Sequence, residues 1–227
     1  FSGLESYGLL AIPLFMMAGE LMNSGGITKR LIDFAKTIVG HYRGGLAYVN
    51  VLANMMLASI IGSATAQIAM MSRTMVPSME KEGYSREFSA STTAAAGLLG
   101  PIIPPSMLFI IYGVSSGASI GSMFLAGVLP GILLALSFIV LIAIIGMKQK
   151  WPTQPRASFK TMGTSFIKVI PALLVPAIII VGILSGVFTP TESAAFACIV
   201  ALIVGFFFYK ELKIKDLPQI MINTAIT

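Results

Sequence analysis

The sequence has 227 residues, 56% of them hydrophobic and only 11% charged, with one cysteine, one histidine and a formal net charge of +6. A water-soluble domain carries about 25% charged residues, so this chain lacks the polar side chains to cover itself in water and reads as an all-α integral membrane protein. A disulfide framework, a cysteine metal site and most Ser–His chemistry are excluded, and so is a nucleic-acid surface, because the basic residues lie in short clusters between apolar runs, as in loops that flank membrane spans.

In chain order, the first apolar stretch predicts a span over about 7–23, with Glu20 at an interface or in a polar cavity. The segment "ITKRLIDFAKTIVG" follows. Ile27, Leu31, Phe34 and Ile38 recur at helical spacing, with Lys29, Arg30, Asp33 and Lys36 on the other faces. That is an amphipathic helix lying at the interface.

The uncharged stretch 44–72 would be roughly 43 Å long as one helix, against a hydrocarbon core of about 30 Å. Gly62, Ser63, Thr65 and Gln67 interrupt it where a span should be most apolar. It either tilts across or folds back at Gly62-Ser63, and the charges choose between these. If it crosses, Lys29, Arg30, Lys36 and Arg43 lie opposite both later basic clusters, Lys148, Lys150, Arg156, Lys160, Lys168 and Lys210, Lys213, Lys215. If it returns to its own face, all three clusters share one side, and "SSGAS" and "FTPTES" fall on the other without Lys or Arg. The reading is therefore a re-entrant helical hairpin. Its tip would expose carbonyls of the first arm and amides of the second, with Ser63 and Thr65 hydroxyls as caps or ligands. Carbonyl ends suit a hard cation such as sodium and amide ends suit an anion; close packing of small residues is the alternative use of such a cluster. Asn50 and Asn54, one turn apart, read as helix–helix hydrogen bonds, and Arg73 as a residue snorkelling to the interface.

The run 88–147 is long enough for two spans, 88–115 and 119–147, divided at "GVSSGAS". In the first of them Gly97, Gly100, Pro101, Pro104, Pro105 and Ser106 crowd the middle. Pro101 and Pro105 each remove a helical amide and clash with the preceding turn, so this span is discontinuous. Irregular backbone at membrane depth is tolerated only against protein or a water-filled cavity. A hairpin tip followed by a broken helix points to a transporter site at the bilayer midplane. Two more spans follow at 169–188 and 191–209, the second with Thr191 as expected N-cap and Glu192 favouring the helix dipole. "RASFKTMGTSFIKVI" is a second, weaker interfacial arm. The organisation is thus 1–43, first span and arm; 44–72, hairpin; 73–147, broken span and its successor; 148–227, basic loop, two spans and the start of a further helix. Beginning at "FSGLESYG" and closing on "INTAIT", the sequence reads as a piece of a longer membrane protein.

The succession "PLFMMAGELMNSGGI", "GHYRGGLAYVNVLANMMLASIIGSATAQ", "KEGYSREFSASTTAAAGLLGPIIPPSMLFIIYG", "SIGSMFLAGVLPGILL" and "GILSGVFTPTESAAFA" resembles the large membrane subunit of the tripartite ATP-independent periplasmic (TRAP) transporters over nearly the whole chain. The resemblance implies an inverted-repeat, elevator-type sodium/solute symporter of the bacterial inner membrane with its basic loops cytoplasmic. It implies two protein partners, a periplasmic binding protein that delivers an organic acid and a small four-helix membrane subunit. It also implies a second repeat that supplies the other half of the site. Sodium is the expected ion, with no organic cofactor. By that comparison Ser63 is the expected sodium ligand, with backbone oxygens near Gly62, Gly97 and Gly100; Thr65, Gln67, Pro101, Pro104 and Ser106 form the expected substrate wall. Where many dicarboxylate-type members carry an Asp, this sequence has Gln67, closer to the sialic-acid members. Sialic acid is the preferred substrate, and a C4-dicarboxylate or sugar acid the alternative. An enzyme is not expected: a hydrolase built on Ser63 would need a base, and His41 lies several helical turns away. A channel is the remaining alternative, since hairpins also build filters.

Overall fold

One face of the longest helix is a ladder of exposed aliphatic side chains. In α7 (Ile120–Lys148), Leu125, Leu129, Leu133, Leu136, Val140 and Ile144 are each about half exposed or more. Their spacing of three or four residues puts them on one side of the helix. In water such a stripe would demand a partner; in lipid it needs none. The computed structural model describes residues 8–149, 151, 153 and 155–226; Tyr7, the expected start of the first span, and Lys150 of the second basic cluster lie outside the described residues. All regular structure among the described residues is helical. Among the described residues three stretches are long and apolar enough to cross a membrane: Ile120–Lys148, Phe159–Leu184 and Pro190–Phe208. The chain is an all-α integral membrane protein.

The other two expected spans take different forms. The first is helical only over α1 (Ala11–Ser24), about 21 Å long at 1.5 Å per residue. The stretch 88–115 is divided into α5 (Arg86–Gly97) and α6 (Met107–Ser116), with Leu98–Ser106 non-helical between them. Packing of α7 on this break relies on missing side chains. A Cβ on Gly127 would stand 2.5 Å from both the Ile102 carbonyl oxygen and the Phe109 ring. Small residues let backbones approach this closely, which apolar association in lipid requires.

The interfacial arm is α2 (Ile27–Val39), which packs against α3 (Gly45–Ile61) and α8 (Phe159–Leu184). Its buried stripe is Ile27, Leu31, Ile32 and Ala35. Phe34 is only half-buried, tilted against Phe166 at 5.8 Å, and Ile38 is exposed, so the stripe is turned from the one the apolar spacing indicated. The cause is tertiary: α2 is packed between two helices, and Ala35 is fully buried there. At its start Arg30 donates to the Gly26 carbonyl and to the Glu211 carboxylate, both at 2.8 Å, and lies 3.7 Å over the Tyr209 ring.

Two local expectations are corrected. "RASFKTMGTSFIKVI" is not a separate arm, because its helical part is the first turns of one continuous α8. No breaker divides it from the apolar part, and Pro171 and Pro176 are accommodated inside the helix. The N-cap of α9 (Pro190–Ile203) is Thr189 rather than Thr191. The Thr189 hydroxyl accepts from the Glu192 amide at 3.3 Å, while the Thr189 amide donates to the Glu192 carboxylate at 2.8 Å. Proline at the first helical position fixes this register. α9 then packs along α1, where Ala194, Ala197 and Ala201 are fully buried, and the Cys198 thiol donates to the Leu14 carbonyl at 3.1 Å.

Candidate functional site

Two interruptions of helical backbone meet. The first joins α3 to α4 (Ala64–Lys81) through Gly62 and Ser63 alone. Gly62 ends α3 at φ +62°, a left-handed conformation that glycine adopts without strain. Ser63 is extended and opens α4. The arms then run antiparallel: near the tip Gln67 bonds to Asn54, and further down Asn50 lies 3.7 Å from the Met79 sulfur. At the base of the hairpin Trp151 covers Gly44, where a Cβ would stand 2.7 Å from its ring, and packs on Tyr84 and Phe88. Burial there pushes the Tyr84 phenol up to about 12.

The second interruption is the segment after α5. Its backbone closes as successive tight turns, with the amides of Leu98, Leu99 and Gly100 donating three residues back, and those of Ile102 and Ile103 both donating to Leu99. Ser106 secures the far end. Its hydroxyl donates to the Pro101 carbonyl at 2.7 Å and accepts from the Phe109 amide at 3.4 Å, so it caps α6 and holds the proline loop at once.

The hairpin tip abuts this break. A Cβ on Gly62 would lie 2.9 Å from the Pro105 carbonyl oxygen and 3.5 Å from the Met107 amide. A Cβ on Gly100 would lie 2.8 Å from Gln67 Oε1, 3.2 Å from the Gly97 carbonyl oxygen and 3.4 Å from the Ser63 carbonyl carbon. The structure thus brings Gly62, Ser63, Gln67, Gly97 and Gly100 together. Thr65 is exposed and joined to them through its hydroxyl, 3.2 Å from that of Ser63. Pro104 is buried in the proline loop and Pro101 half-buried. The proline whose carbonyl meets the tip is Pro105, which the sequence reading gave to the helix break but not to the substrate wall.

Ser63, like Ser158 at the start of α8, opens its helix without capping it. Ser85, Ser106, Ser119 and Thr189 each accept a backbone amide of the helix they open; Ser63 makes no such cap bond. Its hydroxyl lies 3.2 Å from that of Thr65 and leaves the first-turn amides of α4 without a side-chain cap. A cleft runs from Ser63 along α1, lined also by Gly19, Glu20, Met70 and Met107. Glu20 is therefore a cavity residue. No cluster of three His, Cys, Asp or Glu side chains able to hold a metal occurs among the described residues. Oxygen donors at the junction are backbone carbonyls, hydroxyls and one amide, a set suited to a weakly held hard cation.

Behind the junction lies a buried polar chain that the sequence revealed only in part. Asn50, Asn54, Gln67, Ser89 and Thr93 are all fully buried. Asn50 donates to the Thr93 hydroxyl at 2.7 Å, tying the hairpin to α5. The i, i+4 spacing of the asparagines was visible in sequence. Thr93 was hidden in the small-residue run "SASTTAAAG", which gives no sign of which hydroxyl faces inward.

The family model for the tripartite ATP-independent periplasmic transporter, DctM component, matches residues 1–227. The chain is 42% identical over 226 residues to the 2,3-diketo-L-gulonate TRAP transporter large permease protein YiaN of Escherichia coli, covering 100% of this chain and 53% of that protein. It is 41% identical over 225 residues to the C4-dicarboxylate TRAP transporter large permease protein DctM of Pseudomonas aeruginosa, covering 99% and 53%. It is 40% identical over 225 residues to the sialic acid TRAP transporter large permease protein SiaM of Vibrio cholerae, covering 99% and 53%. The chain spans about half the length of these curated relatives. With the match running from the first residue to the last, through the hairpin and the proline break, the chain belongs to the DctM family of TRAP transporter large permeases.

Proposed function

We propose that this chain is the part of a secondary active importer that holds one half of its ion and substrate site, and that it couples entry of an organic acid to sodium. The observation that carries the reading is the meeting of two interrupted helices, Gly62 within 2.9 Å of the Pro105 carbonyl by its missing Cβ. At such a junction the carbonyl ends of α3 and α5 offer oxygens to a cation, and the amide ends of α4 and α6 offer donors to a carboxylate. Cation and acid then neutralise each other in a setting where either alone would be costly. Ser63 and the carbonyls near Gly62, Gly97 and Gly100 face the sodium; Thr65, Gln67 and the Pro101–Ser106 loop form the substrate wall.

The hairpin 44–72 enters and leaves on the cytoplasmic face of the inner membrane, which keeps every basic cluster on that face. The hairpin and the broken helix move together as an elevator against a scaffold that includes α2, the small four-helix subunit braces the scaffold, and a periplasmic binding protein presents the acid. Sialic acid is the first substrate to test. Relatives named for a dicarboxylate, a diketogulonate and sialic acid are equally similar, so a C4-dicarboxylate or sugar acid stands as the alternative. The test is uptake of labelled acid by proteoliposomes holding the full-length subunit with its small partner. Saturable uptake that needs both an inward sodium gradient and the binding protein is expected. Uptake that ignores sodium, or flux that does not saturate, contradicts the reading in favour of another coupling ion or a channel.

A further inference from the structure

Gln67 is fully buried, and its carbonyl oxygen Oε1 has no hydrogen-bond partner. An amide can present either its oxygen or its NH2 to a ligand, so what Gln67 offers depends on what fixes it. Here Gln67 and Asn54 are each oriented by a backbone carbonyl, which can only accept, and Asn50 by a hydroxyl whose proton is committed to another backbone carbonyl. Gln67 Nε2 lies 2.7 Å from the Asn54 carbonyl and 2.9 Å from Asn54 Oδ1. Asn54 Nδ2 lies 2.8 Å from the Asn50 carbonyl and 2.9 Å from Asn50 Oδ1. Asn50 Nδ2 donates to Thr93 Oγ1 at 2.7 Å, and Thr93 donates to the Ser89 carbonyl at 2.8 Å. Every donor points away from the tip. The series therefore ends, at the tip, in an oxygen that can only accept. That oxygen is aimed at Gly100, where the Gly97 carbonyl oxygen also converges.

We propose that Asn54, held by Asn50 and Thr93, is a positioning residue that forces Gln67 to present its oxygen to the junction, so that this side of the site receives a cation and not the carboxylate of the acid. The inference rests on the sodium-coupled reading and moves Gln67 from the substrate wall to the ion. A free Gln at this place would be ambivalent, since its NH2 could bind the acid as readily as its oxygen binds sodium. The buried series removes that choice. It also joins both hairpin arms to α5, so the oxygen and the Gly97–Gly100 turn keep their spacing when the hairpin moves.

The experiment uses the full-length subunit with its small membrane partner, purified in detergent and titrated with sodium chloride against choline chloride at constant ionic strength. The quantity read is the sodium concentration giving half-maximal thermal stabilisation. Gln67→Leu is expected to raise it at least tenfold and Asn54→Leu at least fivefold. Thr93→Ser keeps the hydroxyl that holds Asn50 and is expected within threefold of wild type. A merely structural network predicts a different pattern: the leucine variants lose stability in choline, while the half-maximal sodium concentration stays put. That pattern overturns the proposal. Should the leucine variants fail to assemble, Thr93→Val decides, because it takes the hydroxyl from Asn50 at the far end of the series and leaves the junction untouched. A tenfold loss of sodium response there supports the proposal and an unchanged response overturns it. A wild-type complex with no sodium stabilisation at all contradicts the transport reading itself, and the proposal with it.

Discussion

Gly62 and Pro105 lie 43 residues apart in sequence, yet a single methyl group on the first would reach to 2.9 Å from the carbonyl oxygen of the second. The contact joins the tip of the hairpin to the loop that interrupts the next helix. Each element alone is a familiar local irregularity; together they leave helix ends of both polarities facing one spot.

Gly62→Ala tests that contact. The left-handed backbone conformation costs a residue with a Cβ roughly 1–2 kcal/mol, and the methyl must also displace the Pro105 carbonyl. The variant should lower the melting temperature of the purified complex and reduce uptake more than a packing defect elsewhere in the hairpin does. A Gly62→Ala protein as stable and active as wild type would show that tip and break are not in contact during transport.

Much of this arrangement was legible in the sequence because it rests on residues with few conformational options. Three prolines within 101–105 cannot sit inside one helix, and α5 stops at Gly97 accordingly. Gly62-Ser63 marked the turn between α3 and α4 for the same kind of reason. What was not legible depends on which way a face turns. The buried stripe of α2 differs from the one its apolar spacing indicated because neighbouring helices, not hydropathy alone, decide burial. Thr93 could not be told from Thr92 until the helix carrying them was packed. The α9 cap fell to Thr189 and not Thr191 because Pro190 starts the helix one residue later than the cap, a register that two nearby threonines leave open to a sequence reader.

Topology is tested by single cysteines. In a background where Cys198 is replaced by alanine, cysteines introduced at Arg43 and at Arg73 should both react with an impermeant maleimide added from the cytoplasmic side. Arg73 is exposed, so its replacement should not disturb packing. Labelling of the two positions from opposite faces would mean that α3 and α4 cross the membrane, and would remove the re-entrant hairpin.

Placement of α7 in lipid is tested at Leu133, which is 57% exposed near the middle of the helix. Leu133→Arg puts a charge where insertion costs about 2.5–3.5 kcal/mol. The membrane-integrated fraction should fall sharply, whereas Met147→Arg, beside Lys148 at the helix end, should insert normally. Equal insertion of the two variants would show that the exposed ladder faces protein or water instead.

The most direct test of the account is the sodium requirement of Ser63→Ala in the full-length transporter with its partners. The Ser63 hydroxyl caps no helix and faces the cleft shared with Glu20, so alanine deletes an oxygen without removing a cap bond of α4. Leaving a buried polar partner unsatisfied costs on the order of 1–3 kcal/mol, which corresponds to a sodium concentration for half-maximal uptake raised roughly five- to hundred-fold. Expression and melting temperature should change little. If Ser63 serves only close packing, alanine packs at least as well. The half-maximal sodium concentration would then be unchanged, a result that would contradict the assignment of the hairpin tip as a sodium site.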